Sequence, residues 1–188
     1  MKKQQQKNKI YIMLSFSGTY FSKFLRIFTR GKYVHVAVSL DDDMMTSYSF
    51  GRKNPKIMLP AGFVHEDLNR LNLAYRNAEF LVYEMELSPK QFYLLKKNIK
   101  KFEKEKDKYR YNIIGLLFIF FGKAYNRKYH YACSQFVGKV FQDSGIYDFK
   151  KHYSLIRPLD FLDDVIDKKM LYKGSLSEFL LVKDSLNI

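Results

Sequence analysis

The sequence predicts an α+β fold in which an antiparallel sheet packs against a cysteine-bearing helix and a long basic helix. Residues 33–40 and 78–87 alternate apolar and polar side chains as strands do. Residues 89–108 and 133–145 place apolar side chains at helical spacing instead. An early hairpin, a central strand with a long helix, and a later helix that begins at a cysteine form an order typical of this class.

The first half of the chain is predicted to build the hairpin. Residues 10–16 read as a short strand, and residues 17–31 carry phenylalanines at helical spacing. Residues 33–40 and 44–50 then form two strands joined by an acidic turn. The segment 51–72 contains glycine and proline and few periodic apolar positions, so we expect a loop.

A long helix follows the central strand. Ser88 is a good N-cap, and Pro89 suits the first helical position of a helix over 89–108. Residues 112–122 are almost wholly apolar, and periodicity does not decide between a buried helix and a strand. We interpret them as core, with the wall of an acyl or lipid pocket as the alternative.

The last third is predicted to contain two helices and two strands. Gly145 is suited to end the helix that begins at Cys133. Residues 157–167 suggest a short helix, and residues 170–174 and 178–183 suggest two final strands.

Length and composition predict one domain. The chain has 188 residues, of which 47% are hydrophobic, so a sizeable core is expected. Residues 1–9 are polar and basic and are predicted to be a flexible N-terminus, followed by a single domain over 10–188. We find no apolar run long enough to span a bilayer and no secretory signal pattern, so we expect a cytoplasmic protein.

The net charge of +14 has two interpretations. It favours an anionic partner such as nucleic acid, an anionic membrane or an acidic substrate, or it simply keeps the protein soluble. Residues 96–110 hold eight Lys or Arg and three acids. This excess fits a solvated helix face, with a docking surface as the alternative. No recognised nucleic-acid motif accompanies it.

Cysteine and histidine usage predicts neither a metal nor a cofactor. One cysteine excludes an intrachain disulfide framework and cannot build a structural zinc site. The four histidines are scattered and show no helical zinc spacing.

Cys133 is the candidate nucleophile. If a helix begins there, unpaired backbone N–H groups and the helix dipole lower the thiol pKa and offer a donor to an oxyanion. Lys123, Arg127 and Lys128 lie upstream, and no acid occurs between residues 108 and 142. The alternative interpretation is a buried small hydrophobic residue.

His35 is the candidate general base. It interrupts a strand of β-branched residues, which would hold its ring rigidly, and the alternative is a hydrogen-bonded interior histidine. "TRGKYVHVAVSL" at 29–40 and "YHYACSQFVGKVF" at 129–141 resemble the circularly permuted NlpC-type papain-like cysteine hydrolases. Lecithin–retinol acyltransferase-like proteins share that arrangement, and "SYSFGRK" at 47–53 resembles a string in uncharacterised bacterial members.

That resemblance covers roughly residues 10–165 and implies a permuted papain-like fold. It also implies Cys133 as nucleophile and His35 as general base. Members of the family place a polar residue on the strand after the histidine strand. Hairpin arithmetic puts Ser49 opposite His35 for a three-residue turn and Tyr48 for a two-residue turn. We choose Ser49 as the orienting residue, although a serine cannot stabilise an imidazolium as a carboxylate would.

Further candidates surround this pair. Tyr131 and Ser134 flank the cysteine and could serve the oxyanion or the substrate, although Tyr131 is favoured as core packing with a surface hydroxyl. Arg52 could hold an anionic group of the substrate or be a solvated loop charge, and His130 is a rival base. The run 65–67, His-Glu-Asp, is expected to make surface hydrogen bonds.

Two classes of function follow. The first is a thiol hydrolase or acyltransferase that cleaves an amide or ester of a small-molecule, peptide or lipid-like substrate through a thioester on Cys133. The second is a non-catalytic basic module that binds nucleic acid, anionic lipid or protein. A degenerate relative that retains the fold without chemistry is a third reading, because no carboxylate partner for His35 is evident in the sequence.

Overall fold

A computed structural model describes residues 8–54, 57, 59–163, 165 and 167–185. Most of the predicted flexible segment 1–9 lies outside these described residues, and the first strand begins at Lys9.

The described chain contains eight strands, seven α-helices and two short 3-10 helices, Tyr153–Leu155 and Lys183–Ser185. The strands are β1 (Lys9–Phe16), β2 (His35–Ser39), β3 (Thr46–Arg52), β4 (Ala61–Asp67), β5 (Glu79–Glu86), β6 (Arg110–Tyr111), β7 (His130–Tyr131) and β8 (Lys168–Ser175). The helices are α1 (Tyr20–Thr29), α2 (Leu68–Ala74), α3 (Pro89–Lys104), α4 (Ile113–Phe120), α5 (Cys133–Asp143), α6 (Asp160–Asp163) and α7 (Leu176–Val182).

Six strands form one antiparallel sheet in the order β4-β3-β2-β1-β5-β8. The predicted α+β class and antiparallel sheet are therefore confirmed. β6 and β7 form a separate parallel pair in which Tyr111 lies beside Tyr131. This small pair carries the chain into α4 and α5.

Each face of the sheet has its own apolar layer. Ile10, Ile12 and Leu14 of β1 point into a large core shared with α3 and α5. Tyr11 and Met13 point to the other face, into a smaller core with α2 and α7. Because β1 is flanked by strands and covered on both sides, its sequence is a continuous apolar run and does not alternate.

Several predicted elements are confirmed at their ends. The hydroxyl of Ser88 accepts a hydrogen bond from the N–H of Gln91, whose side chain in turn accepts from Ser88 N, so α3 begins with a capping box. Gly145 follows α5 with a positive φ of 65°. The undecided apolar run 112–122 contains helix α4, which buries Leu116 and Ile119 but leaves Ile114, Leu117 and the following Phe121 exposed, so the core interpretation is wrong for that face.

Two predictions of secondary structure are wrong. The segment 51–72, expected to be a loop, contains β4 and α2. Its Gly62 is there because β4 approaches another backbone closely: a Cβ on this residue would stand 2.6 Å from the carbonyl oxygen of Tyr109. Residues 178–183, expected to be a strand, lie mostly in α7, which Ser175 and Glu178 cap reciprocally.

The described part of the chain offers no helix with both the length and the apolar character needed to cross a bilayer.

We expect Gly62→Ala to lower the free energy of unfolding by about 1–3 kcal/mol, because the added methyl group meets backbone that cannot rotate away. Urea denaturation measures the change. Gly51→Ala is the matched control, since Gly51 pairs directly with Gly62 and its Cβ would stand 3.4 Å from the nearest atom, a side-chain oxygen. A loss below about 1 kcal/mol is expected there, and equal losses would contradict the close approach.

Candidate active site

The first turn of α5 is fixed by a buried glutamine. Gln135 accepts hydrogen bonds from the N–H of Ala132 (2.9 Å) and the side chain of Asn112 (3.1 Å), and its own amide donates to Ser154 O (2.9 Å). Every part of this amide is therefore bonded to a different segment. The contacts hold the N-terminus of α5, where Cys133 is the first helical residue.

The N-terminus of α5 lies against the edge of β2. The thiol of Cys133 donates to the carbonyl oxygen of Val34 at 3.8 Å, and the backbone N–H of Val36 is near enough to lower the pKa of the thiol. On the same edge, the carbonyl of Val36 accepts from the Ser49 hydroxyl at 2.7 Å. The sulfur thus lies against backbone groups at the start of β2 that a neighbouring strand would otherwise bond. This position brings the sulfur close to His35.

His35 lies between a carboxylate and the cysteine. Its Nε2 lies 2.9 Å from Oε1 of Glu66, and the sulfur of Cys133 is near enough to raise the pKa of the ring. Because Nε2 is engaged by the carboxylate, Nδ1 is the nitrogen left for the sulfur. The side chains of His35 and Glu66 retain 24% and 12% of their exposure, so the pair is shielded but reachable.

A glycine makes room for the contact between His35 and Glu66. Val38 pairs with Tyr48, and this antiparallel register places His35 beside Gly51 on β3. A Cβ at Gly51 would stand 3.4 Å from Glu66 Oε1 and 3.6 Å from the His35 ring. The carboxylate on β4 can therefore reach the imidazole on β2 across the intervening strand.

The electrostatics favour a thiolate–imidazolium pair. Burial alone raises the pKa of Cys133, but the hydrogen bond and charge of His35, with the N–H groups of Val36 and Ser134, bring that pKa below the ordinary thiol value. Burial opposes protonation of His35, yet Glu66 and the sulfur raise its pKa well above the usual range. Both shifts stabilise the charged pair relative to thiol and neutral imidazole.

Tyr111 is a further neighbour of the sulfur. Its side chain is buried, and Cys133 is near enough to affect its pKa. Burial, followed by the nearby sulfur, raises the pKa of Tyr111 well above its usual value, so the hydroxyl remains a proton donor.

A cavity of about 100 Å³ adjoins these residues. His35, Glu66 and Tyr111 line it, while Cys133 is 2% exposed and is not part of the wall formed by the described residues. A molecule in the cavity therefore meets the imidazole and the phenol before the sulfur. The rest of the wall is largely apolar and includes Met13, Phe21, Leu25, Leu71 and Phe80.

The predicted orienting residues do not contact the ring. Ser49 donates its hydroxyl to Val36 O, and Tyr48 stacks on His65 with ring centroids 4.6 Å apart. The turn between β2 and β3 is longer than the two- or three-residue turns assumed in the sequence analysis. The register is therefore shifted by two residues, and His35 lies opposite Gly51 instead of Ser49. Glu66, predicted to make surface hydrogen bonds, is the residue that holds the imidazole.

Tyr131 lies in an aromatic cluster. Its ring centroid is 5.4 Å from that of Phe50 and 5.2 Å from that of Phe102. Burial and the neighbouring Tyr153 raise its pKa above the usual value. These contacts favour the core interpretation of Tyr131 over an oxyanion role.

The remaining candidates have separate positions. The hydroxyl of Ser134 donates to Ile156 O at 2.6 Å, which leaves only its backbone N–H for the sulfur. Arg52 lines the cavity, and its guanidinium lies 5.5 Å from the Phe21 ring. His130 donates from Nδ1 to the carbonyl of Lys128 at 2.8 Å, so the rival base is engaged elsewhere.

Sequence reasoning missed Glu66 and Tyr111. Glu66 belongs to "AGFVHED", where Phe63 and Val64 gave a short strand signal that the surrounding glycine and prolines obscured. Tyr111 lies in a two-residue strand, and no local pattern connects it with a cysteine 22 positions away.

No protein-family model and no curated protein matches this sequence. Among solved structures, the chain is similar to the metalloprotein yiiX from Escherichia coli O157:H7. The TM-score is 0.53 and the sequence identity 16%, over 90% of this chain and 98% of that chain. At this identity the likeness concerns the fold alone.

We expect the thiolate of Cys133 to persist as the pH falls below about 8.5, the ordinary thiol value. His35→Ala removes the hydrogen bond and the positive charge and leaves burial, so the thiol pKa should rise above that value. Thiolate ultraviolet absorbance against pH measures both, and Cys133→Ser subtracts the tyrosine background. The chain has one cysteine, so the difference belongs to it alone. Equal midpoints near 8.5 would contradict the pair.

We expect Glu66→Gln to raise the pKa of Cys133, because an amide cannot stabilise the imidazolium that in turn stabilises the thiolate. The same absorbance titration measures it. Ser49→Ala is the matched control and should leave the midpoint unchanged, since Ser49 bonds to backbone. If Ser49→Ala raised the pKa of Cys133 and Glu66→Gln did not, Ser49 would be the orienting residue.

Proposed function

We propose that this protein is a thiol hydrolase or acyltransferase of the permuted papain-like type, which cleaves an amide or ester through a thioester on Cys133. The observation that carries the proposal is the position of the His35 imidazole, hydrogen-bonded to the Glu66 carboxylate on one side and close enough to the Cys133 sulfur on the other to lower the thiol pKa. A nucleophile, a base and a residue that orients the base are the parts that such catalysis needs.

The first half of the reaction forms the thioester. The thiolate of Cys133 attacks the substrate carbonyl carbon, a C–S bond forms, and the carbonyl oxygen becomes an oxyanion. When this intermediate collapses, the C–N or C–O bond breaks and protonated His35 gives its proton to the departing amine or alcohol. Glu66 stabilises the imidazolium until that transfer.

The second half releases the acyl group. Neutral His35 takes a proton from water as its oxygen attacks the thioester carbonyl, the C–S bond breaks, and the thiolate and a carboxylic acid are formed. If an alcohol or amine replaces water, the same steps transfer the acyl group to it. Cys133 and His35 play the same roles in hydrolysis and in acyl transfer.

Donors for the oxyanion come from two places. The first-turn N–H groups of α5 lack intrahelical partners, and the buried Tyr111 hydroxyl lies at the sulfur. Arg52, also in the cavity wall, could hold an anionic group of the substrate. The apolar remainder of the wall suits the hydrocarbon part of an acyl group.

The donor set argues against a metal at this site. Cys133 and Glu66 lie on opposite nitrogens of one imidazole, so both cannot ligate a single ion. Elsewhere in the described ranges, no group of three or more His, Cys, Asp or Glu side chains is placed to hold a metal. The Escherichia coli neighbour is described as a metalloprotein, and at 16% identity that description is not carried over to this chain.

One observation favours the alternative, a non-catalytic basic binding module. Cys133 is 2% exposed, so substrate access requires movement of the side chains between the cavity and the sulfur. In a binding module the same three residues would serve as a buried polar network without turnover.

We expect the protein to hydrolyse p-nitrophenyl acyl esters and to carry the acyl group on Cys133 in an acid-quenched reaction. Mass spectrometry of the intact chain detects the adduct, and absorbance detects p-nitrophenol. Cys133→Ser should abolish the thioester, and His35→Ala should slow turnover by roughly a hundredfold to ten thousandfold.

Ser49→Ala serves as the matched control, because it removes a buried hydroxyl near the site without touching the sulfur or the ring. It should retain most of the activity. A wild-type chain that forms no adduct with any ester length, and whose thiol titrates normally, would leave the binding module as the function.

A further inference from the structure

Two adjacent helices present apolar stripes to solvent. On α1, Tyr20, Phe24 and Ile27 recur at helical spacing and are 92%, 46% and 62% exposed. Ile114 and Leu117 of α4, with Phe121 just after it, also recur at helical spacing and are exposed. Scattered exposed apolar residues are ordinary, but six large ones on two packed helices are not.

The two stripes are continuous with each other. Phe24 contacts Phe28 edge-on with centroids 4.9 Å apart, Phe28 lies 6.1 Å from Phe120, and Phe120 lies 5.4 Å from Phe121. We call the six exposed side chains of the preceding paragraph, joined by these rings, the α1–α4 surface.

Cations border this surface. Lys23, Arg26 and Arg30, the α1 cations, are exposed and follow the stripe along the same helix, and Lys123 comes just after α4. The Arg30 guanidinium lies 4.9 Å from the Phe120 ring, inside the apolar region. Residues 17–34 and 113–130 contain no acid, so the local field is positive throughout.

We infer that the α1–α4 surface docks onto a bilayer that contains anionic phospholipid. Aliphatic and aromatic side chains enter the acyl boundary while Lys and Arg reach the phosphate groups, which is how interfacial amphipathic helices bind. The inference does not rest on the thiol chemistry and holds for a chain without Cys133.

The positive charge of the α1–α4 surface favours an anionic membrane over a second copy of the chain or a nucleic acid as its partner. A second copy of the chain on the same surface would bring the α1 cations of both copies together, because a two-fold interface pairs identical patches. A nucleic acid would find the cations but would leave Ile27, Ile114 and Leu117 in water. An anionic bilayer satisfies both parts of the surface.

The surface also adjoins the cavity of the candidate active site. Phe21, Ser22 and Leu25 of α1 line that cavity, while Tyr20, Phe24 and Ile27 lie on the solvent side of the same helix. Docking through α1 therefore holds the cavity close to lipid.

Fluorescence of an inserted tryptophan tests the inference directly. The chain contains no tryptophan, so Phe121→Trp reports from one position. We expect a blue shift with vesicles of phosphatidylcholine and phosphatidylglycerol, and none with phosphatidylcholine alone. Leu181→Trp, at a residue 84% exposed on α7, is the matched control and should not shift. No shift in either variant, or equal shifts in both, would overturn the inference.

Vesicle sedimentation tests the two components. Phe121→Ser should weaken partitioning roughly tenfold or more, and conversion of the α1 cations to glutamine should weaken it roughly a hundredfold. The control removes three exposed charges from α3, Lys97, Lys100 and Lys104, and should change partitioning less than about threefold. If both charge triplets have equal effects, net charge rather than this surface binds the vesicle, and the inference fails.

Light scattering without vesicles tests whether a second copy of the chain binds the α1–α4 surface. The inference predicts a mass that does not change with protein concentration. A dimer that Phe121→Ser dissociates would assign the surface to self-association and overturn the membrane assignment. Cys133→Ala should bind vesicles as the wild type does, so failure of docking and failure of the proposed catalysis are seen separately.

Discussion

The candidate site depends on one imidazole ring that lies between a carboxylate and a sulfur in a place with little solvent. A thiolate buried in this core would be costly, and the protonated ring beside it, helped by the N–H groups of Val36 and Ser134, offsets that cost. The ring in turn stays protonated because Glu66 faces its other side. Loss of any of these three groups leaves the others with a charge or a hydrogen bond that the surroundings do not satisfy.

The fold brings these groups together from different layers. Cys133 belongs to the helix over the larger core, while His35 shares its sheet face with Met13 and Ala37 of the smaller one. They meet only because the first turn of α5 reaches β2, and Gln135 anchors that turn to two other segments, at Asn112 and Ser154. The geometry of the pair therefore depends on the packing of both faces of the sheet.

Local patterns identified the strand β5, the long helix α3 and the start of α5, because alternation, a capping serine and helical apolar spacing are all read within a few residues. β4 was missed because Gly62 signals a turn in sequence but serves a close backbone approach in the fold. The approach of Cys133 to His35 was expected only from a family resemblance. Glu66 could not be placed, since its contact crosses a whole strand and depends on a register that the turn length hides.

The absence of a side chain at Gly51 matters for the interpretation of related sequences. A branched side chain there would stand between the carboxylate and the ring, while β3 itself would still pair with its neighbours. A chain with valine or isoleucine at that place could thus retain the architecture, the cysteine and the histidine, yet hold its imidazole without an anionic partner. Inspection of this one position would separate intact copies from vestigial ones even where all three side chains of the site are still encoded.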